Sequence, residues 1–367
     1  MASRCALCTA ASAGNLGGEM YTATQIFKVV SPGLFTTVQD KGRYGYLRHG
    51  VPINGAMDSF AAQIANFLVG NDEAAAVLEC TVAGPTFVVL DQADVAVTGA
   101  DMEVTVNGVA HANWASFRVK TGDVLALGQV RSGCRAYLAV TGGIEVPMVM
   151  GSRSCYVGAG IGGFHGRPLQ KEDRLARGVG PHLPAPRRLP PELVPQYGDA
   201  IVLRAIPGPQ DDFFDEGLAT FFAADFEVSH EANRMGYRLT GPAIHMKTGK
   251  PPGIISEASV PGGVQIPPNG QPIILLAEQT VGGYAKIATV ISSDLHLIGQ
   301  AIPGTAIRFQ RIDLAGAYEL RRKRQRLVEA IKALLELTDE VRTLQRECEP
   351  DGEDALAGFA GLYPECG

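Results

Sequence analysis

No apolar run in this sequence reaches the ~18 residues that a membrane-spanning helix needs. The first 24 residues carry Arg4 but no apolar stretch behind it, so they do not resemble a secretory leader, and Met20 is a second candidate start. Charge is scarce too: Lys+Arg total 32 against 38 Asp+Glu, 19% charged in all, for a net −6. That balance excludes a chain-wide basic footprint, and no nucleic-acid partner and no membrane partner are expected. The seven cysteines, at 5, 8, 80, 134, 155, 348 and 366, are odd in number and irregularly spaced. They argue against a disulfide scaffold and for the reducing cytoplasm. Cys5 and Cys8 have CxxC spacing, but no second pair or histidine cluster completes a zinc tetrahedron, so no metal site is expected. Walker A, HExxH and GxSxG patterns are all missing. Gly158-Ala-Gly160-Ile-Gly162-Gly163 fits GxGxxG, yet Phe164-His165-Gly166-Arg167-Pro168 follows it, which suits a glycine-rich turn rather than the start of a dinucleotide-binding helix.

What the 367 residues do hold is turns and short β-rich runs: 44 glycines, 23 prolines and 46% hydrophobic residues. From Phe27 onward, strand-like runs recur about every 8–12 residues between turn signals, as in an antiparallel barrel or sandwich. One helix interrupts them, because Met57, Phe60, Ile64, Phe67 and Leu68 recur near a 3.6-residue period, with Asp58 or Ser59 as cap and Gly70 as stop. The expected organisation is an N-terminal flexible extension (1–24), a first β-barrel subdomain (25–180), a proline-rich connector (181–198), a second barrel (199–316), an amphipathic helix (317–347) and a disordered tail (348–367). The helix carries Leu320, Leu327, Ile331, Leu334, Leu335, Val341 and Leu344 on one stripe, and its Arg321-Arg322-Lys323-Arg324 segment is the one basic cluster. A faint echo links the halves, since Gly84-Pro85 and Gly241-Pro242 each follow a strand-like run.

Four polar, glycine-dense blocks are not explained by core packing. The first holds Gln39, Asp40, Arg43 and Asp58 among glycines that let backbone approach a ligand closely. The second places Glu79 inside an apolar strand, where a buried carboxylate needs a partner such as Arg43 or Arg153. The third holds Arg234 and Arg238, which share a side of either a helix or a strand and would form a cationic clamp for carboxylate or phosphate. The fourth combines Ser256, Glu257, Gln265, Gln279, Thr280, Gly282, Gly283, Tyr284 and Lys286, a set suited to holding an oxyanion. The binding residues are expected to gather at one concave mouth between two lobes. There Lys286 stabilises negative charge, and Glu257 or Glu79 acts as the base.

The segments TTVQDKGRYGY, HGVPINGAMDS, LECTVAGPT, AYLAVTGGIEVP, NRMGYRL, GGVQIPPNGQPIIL and EQTVGGYAKIATVISSDL resemble, in order, the allophanate hydrolase subunit 2 family. That family is also described as a biotin-dependent carboxyltransferase domain and as the C component of the three-part prokaryotic 5-oxoprolinase. The likeness covers about residues 26–312. It implies a mainly β fold of two cyclophilin-like barrels and partnership with an allophanate hydrolase subunit 1 homologue (the B component) and a third oxoprolinase component. It also implies ATP-dependent opening of 5-oxoproline, a small carbonyl and carboxylate substrate, to glutamate, with Mg accompanying ATP. Alternatives within the resemblance are a carboxyltransferase in a urea-carboxylase-like system, with biotin as carried substrate, and a regulatory antagonist of a histidine-kinase inhibitor. Many members have Asp-Arg-Gln-Thr-Thr-Gly-Gly-Tyr where this chain has Glu278-Gln279-Thr280-Val281-Gly282-Gly283-Tyr284, so any role of that arginine lapses here. A Ser-Thr pair is replaced by Ser154-Cys155, the long helix lies beyond the family core, and neither a biotin-carrier domain nor a biotin carboxylase is recognisable.

Overall fold

The computed structural model describes residues 23–347. The expected flexible extension and disordered tail fall almost wholly outside them, as do Cys5 and Cys8. The fold is mainly β, with two barrel-like sheets and one long C-terminal helix.

The first half, from Thr24 to Arg177, forms a ten-stranded sheet. Its backbone is the antiparallel pair Ala93–Val106 and Val124–Val140, which bends where the register shifts after Gly99. Gly99 has φ +84°, and a side chain there would strike the Arg135 carbonyl, so this bulge requires glycine. Inward residues such as Phe27, Leu78, Phe87, Val97, Leu125 and Leu138 fill the core. Helix α1 (Ser59–Leu68) covers the outer face of the sheet. Asp58 caps it, accepting from the Ala61 N–H at 2.9 Å and satisfying an otherwise orphaned donor.

The second half is a closed seven-stranded barrel. Closure comes from Ala200–Pro207, which pairs in parallel with Ala306–Arg311 and antiparallel with Ala285–Val290, leaving no free edge. Helix α2 (Glu216–Ala223) packs on it through Phe221, whose ring stacks on Phe309 at 4.2 Å. A short helix, α3 (Leu295–Gly299), follows the barrel strand Ala285–Val290 after a 3-10 turn at Ser292–Asp294. The proline-rich segment runs over the first half as a strap: Arg187 bonds Ser116 in both directions, and Tyr197 reaches back to Asp58 at 2.8 Å.

Helix α4 (Leu314–Glu347) starts earlier than its apolar stripe suggests, because the Asp313 side chain accepts from Gly316 N–H at 2.8 Å and caps it. Its Ile331 and Leu335 join Phe60, Phe67 and Trp114 in a third core, so α1 lies between sheet and α4. Among the described residues no helix is long and apolar enough to cross a membrane. The internal echo holds only in part. Gly84-Pro85 separates two strands, whereas Gly241-Pro242 opens a loop that carries no strand until Glu257.

Candidate functional site

The fourth polar block forms a real cleft. In the second barrel, Gln265 on Gly263–Ile266 is the register partner of Lys286 on Ala285–Val290. Cross-strand partners project to the same side, so amide and ammonium share a face. A two-stranded flap lies over them, Glu257–Ala258 pairing with Val281–Gly282 so that Glu257 stands opposite Gly282. Against the flap lies a cavity of about 300 Å³ whose lining includes Arg238, Gln265, Gln279, Gly282, Gly283 and Tyr284, while Glu257, opposite Gly282 on the flap, and its partner Lys286 sit outside that lining. Ser256 sits beside it, its hydroxyl 3.2 Å from where a Cβ on Gly283 would stand. Thr280 contributes its backbone, its carbonyl accepting from Ser259 N–H at 2.9 Å.

Three features give this cleft chemical character. The buried Lys286 ammonium donates to the exposed Glu257 carboxylate at 2.7 Å. That hydrogen bond holds the Glu257 carboxyl below the usual range for a glutamate, although burial works the other way. The Gln265 Nε2 and Ser259 Oγ atoms are buried without a hydrogen-bond partner among the described residues, and both lie against Gly282, where any side chain would collide with the Gln265 amide. Unsatisfied buried donors are costly, so a pair of them at a cleft is an available recognition element. Finally, the rim is apolar and bare: Met235, Val260, Val281 and Tyr284 are exposed, and Ile255 is 93% exposed.

Gln210 is a residue that reasoning from sequence missed. Its Oε1 accepts from the Lys286 N–H at 3.0 Å, while its Nε2 donates to Glu257 at 3.3 Å, so one amide positions both members of the ion pair. The only signal was its place in the Pro207-Gly208-Pro209-Gln210 turn; Gly208 lets that turn press on the Lys286 carbonyl.

The remaining site residues lie elsewhere, and the single shared mouth is replaced by three separate places. Glu79 is at the seam between the halves, 1% exposed. Its Oε2 accepts from Met57 N–H and Tyr137 O–H, both at 2.8 Å, and its Oε1 accepts from Arg234, with Arg135 at 3.7 Å. Neither Arg43 nor Arg153 is its partner. With its lone pairs taken and no exposed edge, it serves the seam and not proton transfer. Arg234 is likewise spent: besides Glu79 it donates to Glu278 at 2.6 Å and to the Gly55 carbonyl at 2.8 Å. Burial alone would depress its pKa, but the two carboxylates outweigh that and raise it. The clamp with Arg238 does not form, because Arg234 precedes the strand Gly236–Thr240 in a turn and points inward. Arg238 points out, 51% exposed, and pairs with Glu231 at 2.9 Å.

Asp58 is sealed in the same seam, its second oxygen accepting from Tyr197 and, at 2.9 Å, from Gln300. Asp40 holds the first half's loops together: it accepts from Ser152 Oγ, Ser154 Oγ and the N–H groups of Gly42 and Arg153. Gln39 donates to the Cys155 carbonyl at 3.1 Å. Arg43 is fully buried with no carboxylate within ion-pair reach, its donors going to the Val149 and Ser154 carbonyls, and burial lowers its pKa despite nearby Asp40. Burial also pushes the neighbouring Cys155 thiol up to about 11, so it is inert at neutral pH. Gln39, Asp40 and Arg43 are interior supports rather than lining of the second-barrel cleft.

The chain is thus a two-part domain, a sheet-built half joined to a closed barrel that carries the cleft. Residues 49–311 match the family described as carboxyltransferase domain, subdomain A and B, and the chain belongs to that family. More particularly, it is 38% identical over 310 residues to the C component of 5-oxoprolinase from Escherichia coli (strain K12), covering 83% of this chain and 97% of that protein. The Haemophilus influenzae 5-oxoprolinase C component is 33% identical over 302 residues, covering 82% and 96%. Among solved structures, the Kluyveromyces lactis urea amidolyase superposes with a TM-score of 0.79 at 31% identity, covering 85% of this chain. The match spans only 20% of that longer chain. Helix α4 begins beyond the family's matched span.

Proposed function

We propose that this chain is the C component of an ATP-dependent 5-oxoprolinase, working in the cytoplasm with an allophanate hydrolase subunit 1 homologue and a third component to open 5-oxoproline to L-glutamate. Likeness to two 5-oxoprolinase C components over nearly their whole length supports the reading. The observation that carries it is the second-barrel cleft, where an ion-paired ammonium and an unpartnered buried amide face a turn without side chains.

A lactam carbonyl resists water because resonance with nitrogen lowers its electrophilicity. ATP, held with Mg in the assembled complex, supplies the activation. What this chain's residues contribute is charge stabilisation and proton handling: Lys286 and Gln265 stabilise the oxygen as negative charge develops, and Arg238 exchanges its exposed partner Glu231 for the substrate carboxylate. Glu257, released from Lys286 as substrate draws the ammonium away, accepts a proton from the water whose oxygen bonds to the carbonyl carbon and passes it to the ring nitrogen as the C–N bond breaks, with Gln210 keeping the carboxylate in place. Glycines at 282 and 283 let the substrate approach the backbone. The bare apolar rim fits closure by a partner protein, which would exclude water from the cleft.

Co-expression of the chain with its two partners should give ATP-dependent glutamate release from 5-oxoproline, and Lys286→Met should reduce it about 100-fold or more. Absence of release from the complete complex would overturn the assignment. The urea amidolyase likeness favours a second reading, transfer of a carboxyl group from carboxybiotin. Urea-dependent carboxylation by a complex that leaves 5-oxoproline untouched would establish it.

A further inference from the structure

Helix α4 lies on α1 through Leu327, Val328, Ile331 and Leu335, and beside that contact a groove of about 550 Å³ opens. Its walls are α1, the N-terminal half of α4 and the Ser292–Asp294 turn. The α4 wall presents Arg321, Arg324, Gln325 and Lys332, recurring on one helical face.

Arg324 is the unusual group. Its guanidinium lies 3.8 Å over the Phe60 ring, half-buried, yet makes no hydrogen bond or ion pair among the described residues. The nearby carboxylates are already committed. Asp58 serves Ala61, Tyr197 and Gln300, and Asp294 takes three donors from Arg204. Burial lowers the Arg324 pKa, although Asp58 and Tyr197 oppose this. One turn earlier, Arg321 is exposed and also without a partner among the described residues. The Ser293 hydroxyl, on the groove's third wall, is buried and without a hydrogen-bond partner among the described residues. The acidic residues of the groove are occupied: Glu73 with Lys41, Asp72 with the Ala74 N–H at 2.8 Å, and Glu329 with Gln325 at 3.0 Å. Four cations, Lys41, Arg321, Arg324 and Lys332, face three carboxylates there, and the two guanidiniums are the cations without an ion pair among the described residues.

We propose that this groove binds a phosphate group, with Arg321 and Arg324 as a guanidinium fork and Ser293 as a third donor. Arginines three positions apart on one helical face can both donate to a tetrahedral dianion, and the aromatic face beneath Arg324 holds its guanidinium in place. A groove of this volume suits a small molecule rather than a lipid surface or a nucleic-acid chain. The site is separate from the second-barrel cleft and does not depend on the reaction proposed for it.

The test is calorimetric titration of the full chain with inorganic phosphate and with ATP, at ionic strength matched by chloride. Saturable binding of one or both is expected. Tighter binding of ATP by about tenfold or more would identify a nucleotide as the source, whereas equal binding would identify free phosphate. Arg321→Ala, at an exposed side chain that leaves folding intact, should weaken binding about tenfold or more. Arg324→Lys, which keeps charge but loses the fork, should weaken it less than Arg324→Gln. Arg322→Ala, on α4 but outside the groove lining, should leave it unchanged. Failure of wild type to bind either ligand would overturn the proposal. So would affinity indifferent to both Arg321→Ala and Arg324→Gln, or an equal loss with Arg322→Ala.

Discussion

The seam between the halves and the second-barrel cleft are both dense in charged and amide side chains, yet they are built in opposite ways. In the seam every carboxylate oxygen of Glu79 and Asp58 has a donor, and Arg234 bridges Glu79 and Glu278. In the cleft the Lys286–Glu257 pair stands with one end in solvent, and the Gln265 and Ser259 polar atoms beside Gly282 have no partner among the described residues. In the seam Arg135 Nε, 3.7 Å from Glu79, lacks a hydrogen bond among the described residues, but it still faces a carboxylate. Satisfied carboxylates fix geometry, whereas unpartnered groups beside an open cleft leave free energy available to a ligand. Residue type alone does not separate the two, since each contains glutamate, a cation and glutamine.

The sharpest way to break this contrast is to remove one member from each region. Glu79→Ala takes away the only carboxylate that faces the buried Arg135 among the described residues and one of the two that hold Arg234, and should destabilise the protein by about 3–5 kcal/mol in denaturant unfolding. Lys286→Met should change stability by less than about 1 kcal/mol, because its partner Glu257 reaches water, while lowering activity of the reconstituted complex about 100-fold or more. If the two variants lose stability equally, the distinction fails. Gly282→Ala should force the Gln265 amide aside at a cost of about 1–3 kcal/mol, with a larger loss of activity than Ser259→Ala, which only deletes an unpartnered hydroxyl.

The smallest effect concerns pH. The Glu257 carboxyl titrates below its unfolded value, so the stability it adds is complete above about pH 4.3 and is lost as pH falls through its folded pKa. Solvent keeps that contribution under about 1 kcal/mol. In Lys286→Met, carbon-13 detected titration of Glu257 should move back up toward the ordinary glutamate range.

The elements were legible because their signals are local. The Met57, Phe60, Ile64, Phe67 and Leu68 spacing marks α1, and the turn residues between apolar runs mark the strands. The fourth polar block was legible as a spatial cluster for a related reason: Gln265 and Lys286 lie on neighbouring barrel strands, and Glu257 and Gly282 on the two strands of the flap beside them. What sequence could not give was the destination of buried charge. Glu79 invited an arginine, but its partner comes from the other half, 155 positions along. Arg234 and Arg238 have strand-like spacing only if the strand includes both, and it begins at Gly236. Asp40 has the composition of a ligand-binding residue, yet Ser152 and Ser154 fold back to use it up.

The strap that ends in Tyr197 has a consequence for anyone wishing to recombine this chain with its relatives. Tyr197 and Gln300 converge on Asp58, and Arg234 on Glu79, so each half carries atoms whose complement is encoded in the other. A chimera cut within the strap must therefore inherit those pairings together. Exchanging one half without its matched seam would give two well-formed sheets that fail to dock.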